Sequence, residues 1–367
     1  MERVSKQSLL GVLFALLSGC GQDYEPNWLF HGEWIDIDGR DRSSQDACGG
    51  TFEYVDAYAG ALAAEFGVAE HLGAYRWYSP EQFDTDLPCG EDLPYPAGCT
   101  AVEDHTIHTA FIPHEHELVH LVNLLTGMCP SILAEGLAEY YGTSADTPSA
   151  SDIELLETRL AAPAERISTG EYGIAGRFAA YLVEQYGLEA VLDVCRLSGR
   201  HPNADAFSNA MMSSLGLSTA MVLDDFALVF SEGPSNCNSA ARYQSRVFAC
   251  GVAEAARDVG FADGAFVGTY EFGCGSSTTV GPLGDTIKIV ERIDLDADMP
   301  YLVRLQGEDD ADISAVQLKL AACGACGRVV TYVGDSVDVP QLDAGRYSLE
   351  LHAPSDFSGR VIVTVKK

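Results

Sequence analysis

The chain has 367 residues and a formal net charge of −32 at neutral pH, because 54 acidic side chains outnumber 22 lysines and arginines. A surface of this charge repels phosphate groups, which disfavours nucleic acid and anionic lipid as partners. The length predicts two domains, with enough sequence for two separate hydrophobic cores.

The N-terminus carries the pattern of an export signal. Two basic residues precede an apolar run from Leu9 to Leu17, which is too short to span a bilayer as a mature helix. Small residues then precede Cys20, and this arrangement resembles the bacterial lipobox, in which the cysteine is acylated and becomes the first mature residue. The resemblance implies a signal peptide over residues 1–19, a tether over 20–27, and anchoring in the bacterial cell envelope through lipid on Cys20. An ordinary signal peptide cleaved nearby is the alternative, and no later segment is long and apolar enough to cross a membrane.

The cysteine count agrees with export. The chain has 11 cysteines, and with Cys20 assigned to the lipid the other ten can form five disulfides in an oxidising compartment. These ten are Cys48, Cys89, Cys99, Cys129, Cys195, Cys237, Cys250, Cys274, Cys323 and Cys326. The sequence leaves their pairing open. Cys323 and Cys326 have the spacing of a redox motif but lack its βαβ context, which favours a structural bridge or the ends of two bridges.

Residues 28–111 mix strand and helix patterns and predict a small β/α lobe. Its clearest elements are strands over Trp34–Ile37 and Ala74–Tyr78 and a helix over Thr51–Phe66 that ends at Gly67. The proline- and glycine-rich stretch Leu87–Cys99 predicts a loop pinned by its two cysteines. The segment Thr106–Phe111 predicts an edge strand that leads into the next part of the chain.

Residues 112–236 predict a helical lobe, which completes a first domain over residues 28–236. Pro113 suits the first turn of its first helix. The further helical patterns are Ser131–Gly142, Gly173–Tyr186, Leu188–Ser198 and Ala206–Phe230, the last with a break at Gly216.

Residues 237–367 differ in their hydrophobic periodicity, because the helical patterns stop and short alternating segments follow. The clearest of these segments are Thr286–Val290, Tyr301–Leu305, Arg346–Leu351 and Arg360–Val365. Glycine, aspartate and proline separate them at the spacing of an all-β sandwich. The predicted second domain is therefore a β-sandwich, an accessory to the first domain, and the whole chain is predicted to be α+β.

His116, Glu117 and His120 form a His-Glu-x-x-His motif. Residues four apart project from one face of a helix, so both imidazoles can bind the same metal ion. A catalytic zinc ion needs such a pair at about 2.0–2.1 Å, a third protein ligand and an open position for water. Glu117 lies beside that open position, where it can take a proton from the water and pass it to a leaving amine.

A second motif, Glu135-Gly136-x-Ala138, follows after a short loop. Together the two motifs resemble the gluzincin superfamily of zinc metallopeptidases, especially its bacterial lipoprotein members. The resemblance implies a gluzincin-like catalytic domain and one zinc ion, with Glu135 as the third ligand. Two antiparallel helices joined by a short loop can present a carboxylate to the histidine pair. Ala134 replaces the asparagine of the aminopeptidase branch and no exopeptidase motif is present, so the resemblance is to the broad superfamily.

Three further side chains are candidates for the same site. Glu139 lies on the same helix face as Glu135, where several gluzincins carry a carboxylate that orients a ligand histidine; the alternative is a solvated glutamate. Tyr172 is the candidate hydrogen-bond donor to the oxyanion of a tetrahedral intermediate, with packing at a helix N-terminus as the alternative. Arg177 can bind a substrate carboxylate, although pairing with an acidic side chain is favoured in so acidic a chain.

Two functional hypotheses follow. In the first, the chain is a zinc endopeptidase whose protein or peptide substrate lies extended along the edge strand Thr106–Phe111. In the second, it is a catalytically silent, zinc-containing surface protein whose sandwich binds a partner or polymer. The intact Glu117 favours the first hypothesis, because a structural metal site needs no general base.

Overall fold

A computed structural model of the protein describes residues 24–89, 98–142, 152–232, 258–259, 264–323 and 329–367. The predicted signal peptide and Cys20, together with Cys237, Cys250 and Cys326, lie outside the described residues. A mixed sheet and a group of helices come first in the chain, and a strand-rich region follows. The α+β class predicted from the sequence is therefore confirmed.

A five-stranded mixed sheet opens the fold. Its strands are β1 (Trp28–His31), β2 (Ile35–Gly39), β3 (Gly73–Trp77), β4 (Gly98–Ala101) and β5 (Thr106–Thr109), in the spatial order β1-β2-β3-β5-β4. The inner strands are parallel, and β1 and β4 run antiparallel to their neighbours at the two edges. The helices α1 (Thr51–Phe66) and α2 (Pro80–Asp86) follow β2 and β3. Helix α1 spans the predicted residues, and Gly67 ends it in the left-handed conformation that glycine adopts without strain.

The prediction of an edge strand at Thr106–Phe111 is wrong. Strand β5 pairs with β3 on one side and with β4 on the other, so neither of its edges is free. Among the described strands β4 forms this edge of the sheet, and the disulfide Cys89–Cys99 closes the preceding loop as predicted. The four residues of β4, Gly-Cys-Thr-Ala, include little of high strand propensity, so the sequence pattern does not predict this strand.

The helices after the sheet pack in one hydrophobic core with it. They are α3 (Glu115–Thr126), α4 (Ser131–Tyr141), α5 (Asp152–Ala161), α6 (Tyr172–Tyr186), α7 (Leu188–Ser198), α8 (Ala204–Leu215) and α9 (Thr219–Glu232). Helix α3 begins after the non-helical N-cap His114, so Pro113 precedes the helix instead of occupying its first turn. The pattern does not predict α5, four of whose ten residues are charged. Within the described ranges no single helix is long and apolar enough to cross a membrane; α8 and α9 meet that test only as a pair bent by 68°.

The C-terminal region contains two stacked sheets. Its strands are β6 (Asp258–Val259), β7 (Ala265–Phe272), β8 (Val280–Leu283), β9 (Thr286–Leu295), β10 (Met299–Pro300), β11 (Leu302–Gly307), β12 (Gln317–Ala322), β13 (Val329–Val333), β14 (Ser336–Asp338), β15 (Gln341–Leu342), β16 (Gly345–Pro354) and β17 (Gly359–Lys366). One sheet has the order β14-β11-β17-β7 and the other the order β13-β12-β16-β9-β6, with β8 paired to β9. The short strands β10 and β15 pair with each other in a separate two-stranded sheet. Alternate residues of β17, Val361 to Val365, share a core with Leu349 and Leu351 of β16 in the opposite sheet. This arrangement is a β-sandwich.

Disulfides and backbone hydrogen bonds join the two regions and brace the helices. Cys129–Cys195 connects the α3–α4 loop to α7, and Cys48–Cys274 connects the segment before α1 to the sandwich. Beside the second bridge, the Gly50 amide donates to the Thr279 carbonyl at 3.0 Å. A Cβ at Gly50 would lie 2.4 Å from the Ser277 carbonyl oxygen, so this close approach requires a glycine.

A buried ion pair crosses the same boundary. Lys288 of β9 donates through Nζ to Glu115 Oε1 at 2.7 Å and to the Tyr54 hydroxyl at 3.2 Å. The Tyr54 hydroxyl in turn donates to Glu115 Oε1 at 3.1 Å. Burial raises the pKa of the Glu115 carboxyl, but Lys288 and the surrounding hydrogen bonds hold it below its usual value. The first residue of α3 is thus fixed as an anion by the sandwich.

We expect Lys288→Met to lower the free energy of unfolding by about 3–5 kcal/mol, because it leaves the Glu115 carboxylate buried without a counter-charge. Urea denaturation followed by tryptophan fluorescence measures this loss. Lys366→Met, which removes an exposed lysine from β17, should change stability by less than about 0.5 kcal/mol. Adding Glu115→Gln to Lys288→Met should recover part of the loss, and equal effects of the two lysine variants would contradict the assignment.

Candidate metal centre

Helix α3 presents its two histidines as a convergent pair. The His116 and His120 Nε2 atoms lie 3.1 Å apart, one helical turn from each other. The opposite face of the helix, including Leu118, Leu121 and Val122, is fully buried in the core and fixes the orientation of the imidazoles. The histidine spacing in the sequence therefore directs two nitrogen atoms toward one possible metal position.

Helix α4 brings a carboxylate to the same point. Glu135 Oε2 lies 3.2 Å from each of the two Nε2 atoms. In a tetrahedral site with bonds of about 2.0–2.1 Å, ligand atoms are separated by about 3.3–3.4 Å. The spacing of the three atoms is close to that value, so His116, His120 and Glu135 form a group that could hold one metal ion.

Glu139 contacts the ring nitrogen of His116 that faces away from the possible metal position. Its Oε1 atom lies 3.0 Å from His116 Nδ1, and the carboxylate is buried. A carboxylate that accepts from Nδ1–H leaves the Nε2 lone pair directed at the metal position. Burial lowers the pKa of the metal-free His116 imidazole, but hydrogen bonds with Glu135 and Glu139 raise it to about 10, so a metal ion that binds Nε2 would displace a proton from it. Glu139 therefore has the contact expected of a carboxylate that orients a ligand histidine.

Glycines allow the three helices of the site to approach closely. A Cβ at Gly142 would lie 2.7 Å from His116 Cα, and one at Gly136 would lie 2.5 Å from the Ala175 carbonyl oxygen. On α6, a Cβ at Gly176 would lie 2.8 Å from Glu139 Cβ. No side chain fits at these separations. The glycine of the Glu135-Gly136-x-Ala138 motif thus lets α6 pack against α4 and brings the start of α6 to the ligands.

Glu117 lies beside the ligands and is held by the edge strand. The Thr100 hydroxyl of β4 bonds with Glu117 Oε2 at 2.8 Å. A Cβ at Gly98 would lie 3.1 Å from Glu117 Cγ, so the strand passes directly over this side chain. Glu117 is buried but lines the cavity above the metal ligands. Thr100 is a residue that the sequence analysis does not identify, because nothing in the local pattern predicts β4.

Tyr172 begins α6 and stacks on a ligand. Its ring centroid is 5.5 Å from that of His116, with an angle of 17° between the planes. Burial raises the pKa of its hydroxyl, and so do the charge and the hydrogen bond of Glu135, whereas Arg166 acts in the opposite direction. The hydroxyl is therefore protonated at neutral pH and can donate a hydrogen bond beside the metal position.

A cavity of ≈ 450 Å³ opens above these residues. One wall is β4 with the following residue Val102, and the opposite wall includes Arg166, Arg200 and His201. No sequence pattern singles out either of these arginines. Arg177, a candidate from the sequence, is buried in α6 and is not among the described residues that line the cavity.

The sequence matches no family model and no curated protein. Among solved structures, the carbohydrate-binding module TmCBM61 in complex with beta-1,4-galactotriose is 12% identical over 28% of this chain and 66% of its own, with a TM-score of 0.16. Hydroxypropylphosphonic acid epoxidase from S. wedmorenis is 9% identical over 52% of this chain and 97% of its own, with a TM-score of 0.14. The 4-O-methyl-alpha-glucuronidase BtGH115A is 9% identical over 68% of this chain and 38% of its own, with a TM-score of 0.15. This chain thus spans less than two thirds of the module and of the glucuronidase, and scores this low assign neither a fold family nor a function.

We expect Glu139→Ala to weaken zinc binding about 10–100-fold, because His116 loses the partner that directs its Nε2 atom. Competition with a chelator of known affinity measures the effect. Glu157→Ala, which removes an exposed glutamate from α5, is the matched control and should bind zinc like the parent. An unchanged affinity in Glu139→Ala would show that the contact with His116 does not support the metal site.

Proposed function

We propose that the protein is a zinc-dependent endopeptidase with a gluzincin-like catalytic domain. The observation that carries the proposal is the convergence of three ligand atoms on one point with Glu117 beside them. Two imidazoles, one carboxylate and an open position form the ligand set of many catalytic zinc sites. When bound, zinc would lower the pKa of a water molecule and polarise the carbonyl of the scissile bond.

Glu117 is the proposed general base. The Thr100 hydroxyl donates to its Oε2 atom at 2.8 Å and helps to hold the carboxylate at the cavity wall. From there it would accept a proton from the attacking water and transfer it to the nitrogen of the leaving amine. A side chain that both accepts and donates the proton must remain in place through the reaction, and β4 supplies that restraint.

Tyr172 is the proposed oxyanion donor. Its protonated hydroxyl lies on the side of the site formed by the start of α6, close to Glu135. As the carbonyl oxygen of the scissile bond gains negative charge, a preorganised hydroxyl stabilises it more than it stabilises the uncharged substrate. Stacking on His116 limits the movement of the ring and supports this preorganisation.

The free edge of β4 is the proposed substrate-binding strand, in place of the segment first expected to bind the peptide. Cys99, Thr100 and Ala101 line the cavity, and no other described strand pairs with the outer edge of β4. An extended peptide could add to this edge by main-chain hydrogen bonds, which bind a peptide without requiring a particular sequence. The same strand would then hold both the substrate and the general base.

The proposed location is the bacterial cell envelope, with the protein anchored through lipid on Cys20. The disulfides among the described cysteines support an oxidising compartment. An enzyme anchored there would have access to polypeptides outside the cytosol. The proposed substrate is therefore a protein or peptide of the envelope or its surroundings.

We expect Glu117→Gln to retain about one equivalent of zinc per chain and to lose about 10²–10⁴-fold in kcat, because the amide cannot accept the proton of the attacking water. Elemental analysis and the cleavage of an unfolded protein measure the two properties. Equal cleavage by parent and variant would contradict the mechanism. Zinc binding without cleavage in either protein would favour the alternative, a catalytically silent zinc protein that binds a partner through the sandwich.

We expect Tyr172→Phe to lower kcat about 10²–10³-fold with little change in KM, because the hydroxyl acts on charge that develops only in the transition state. Steady-state kinetics on a quenched fluorescent peptide provides the measurement. Tyr186→Phe, at the far end of the same helix, serves as the control. A rise in KM with unchanged kcat would assign Tyr172 to substrate binding instead.

A further inference from the structure

The arginines of the first domain differ in what surrounds them. Residues 24–232 contain eight arginines and no lysine. Those that pair with carboxylates are Arg40, Arg76, Arg159 and Arg196. Arg42 donates to the Tyr78 carbonyl, and Arg177 is buried in α6. Arg166 and Arg200 are exposed, and neither lies within 4.0 Å of a carboxylate oxygen in the part of the chain that the structure describes.

Both of these arginines line the cavity of the metal centre, together with His201. The acidic residues that line the cavity within the described ranges are Glu117 and Glu135, and both belong to the catalytic group. Among the described lining residues, Arg166 and Arg200 are therefore the charged groups outside the candidate metal centre. Their positive charge is opposite to the net charge of −32 of the chain as a whole.

Both arginines lie on segments that are joined to the helices of the candidate metal centre. Arg166 precedes Ile167, whose amide donates to Ser131 Oγ at the start of α4 at 3.1 Å. Arg166 also acts electrostatically on the Tyr172 hydroxyl. Arg200 follows α7, which the disulfide Cys129–Cys195 joins to the α3–α4 loop. That loop also lines the cavity through Met128 and Cys129. A group bound by these guanidinium groups would therefore be held at a defined distance from the scissile bond.

We propose that Arg166 and Arg200 form a subsite for a carboxylate of the substrate, so that the protein selects peptides with an anionic group close to the bond that is cleaved. This inference rests on the proposed peptidase function for the identity of the ligand. Guanidinium groups bind carboxylates through paired, charge-assisted hydrogen bonds. The carboxylate is either an aspartate or glutamate side chain or the free C-terminus of the substrate.

Long-range electrostatics alone would not favour such a substrate. The acidic surface repels an acidic peptide at distances up to the Debye length, about 8 Å at physiological ionic strength. Recognition must therefore arise from short-range contacts inside the cavity, where the arginines lack competing carboxylates from the described part of the protein. Added salt should then weaken the preference for an acidic peptide less than it weakens the repulsion from the surface.

Binding to zinc-loaded Glu117→Gln protein tests the inference without requiring turnover. The probes are fluorescent peptides of one sequence in which glutamate or glutamine is moved through the positions on both sides of a central alanine pair. We expect glutamate at one of these positions to improve the Kd about tenfold over glutamine, as a charge-assisted hydrogen bond does. In a second arm, peptides of decreasing length with a C-terminal carboxylate or amide identify a preference for the free terminus.

Arg166→Gln and Arg200→Gln, each added to Glu117→Gln, should remove most of this tenfold preference and leave the Kd of the glutamine peptides within about twofold. Arg360→Gln removes the same charge from the sandwich, where Arg360 is exposed beside Glu308, and should retain the preference. The inference would be overturned if glutamate peptides bind no better than glutamine peptides and a C-terminal carboxylate binds no better than a C-terminal amide. Binding of none of these peptides would overturn it as well.

The two proposals fail in different ways. If the parent protein cleaves glutamate and glutamine peptides equally well, and cleaves peptides with a C-terminal carboxylate or amide equally well, the peptidase stands and the anionic subsite does not. If the acidic peptides bind through the arginines but the parent cleaves nothing, the subsite stands and the peptidase does not.

Discussion

The buried ion pair between Glu115 and Lys288 anchors the start of the helix that carries two of the candidate metal ligands. Glu115 directly precedes the ligand His116 and is 1% exposed, so its charge would be strongly destabilising without a cation. Lys288 supplies that cation from β9, in the sandwich. The end of α3 that carries the first ligand is therefore held from outside the helical lobe. The sandwich, expected as an accessory domain, contacts the metal helix directly and contributes to its orientation.

The histidine pair was predictable because helical periodicity is local. Two histidines four residues apart, and likewise Glu135 and Glu139, must share a helix face whatever the rest of the fold does. That Glu135 meets the histidine pair was expected only from the resemblance of the two motifs to a known family. Strand β4 and the contact of Thr100 with Glu117 were not predictable in this way, because strand pairing joins distant segments and Gly-Cys-Thr-Ala has a weak strand pattern. The ion pair of Glu115 joins residues 173 positions apart, a separation for which sequence periodicity contains no signal.

Close helix packing explains why the second motif contains a glycine. Gly136 and Gly176 each occupy a place where a Cβ would overlap the neighbouring helix. Their small size lets α6 approach α4, which brings the Tyr172 ring onto His116 and sets Glu139 against the same histidine. One imidazole therefore contacts side chains from two other helices. The orientation of this ligand is determined by packing and hydrogen bonding before any metal binds.

The separation of Glu115 and Lys288 along the chain also imposes an order on biosynthesis. A polypeptide is made from its N-terminus, so α3 emerges well before the strand that carries its counter-charge. Until β9 has folded against it, the Glu115 carboxylate at the start of α3 lacks its cationic partner, and Tyr54 supplies a hydrogen bond but no charge. A chain truncated before residue 286 contains every ligand but not the cation that stabilises their helix. The geometry of the candidate ligands is thereby linked to completion of the polypeptide, because the residue that stabilises the start of α3 is made after all of them.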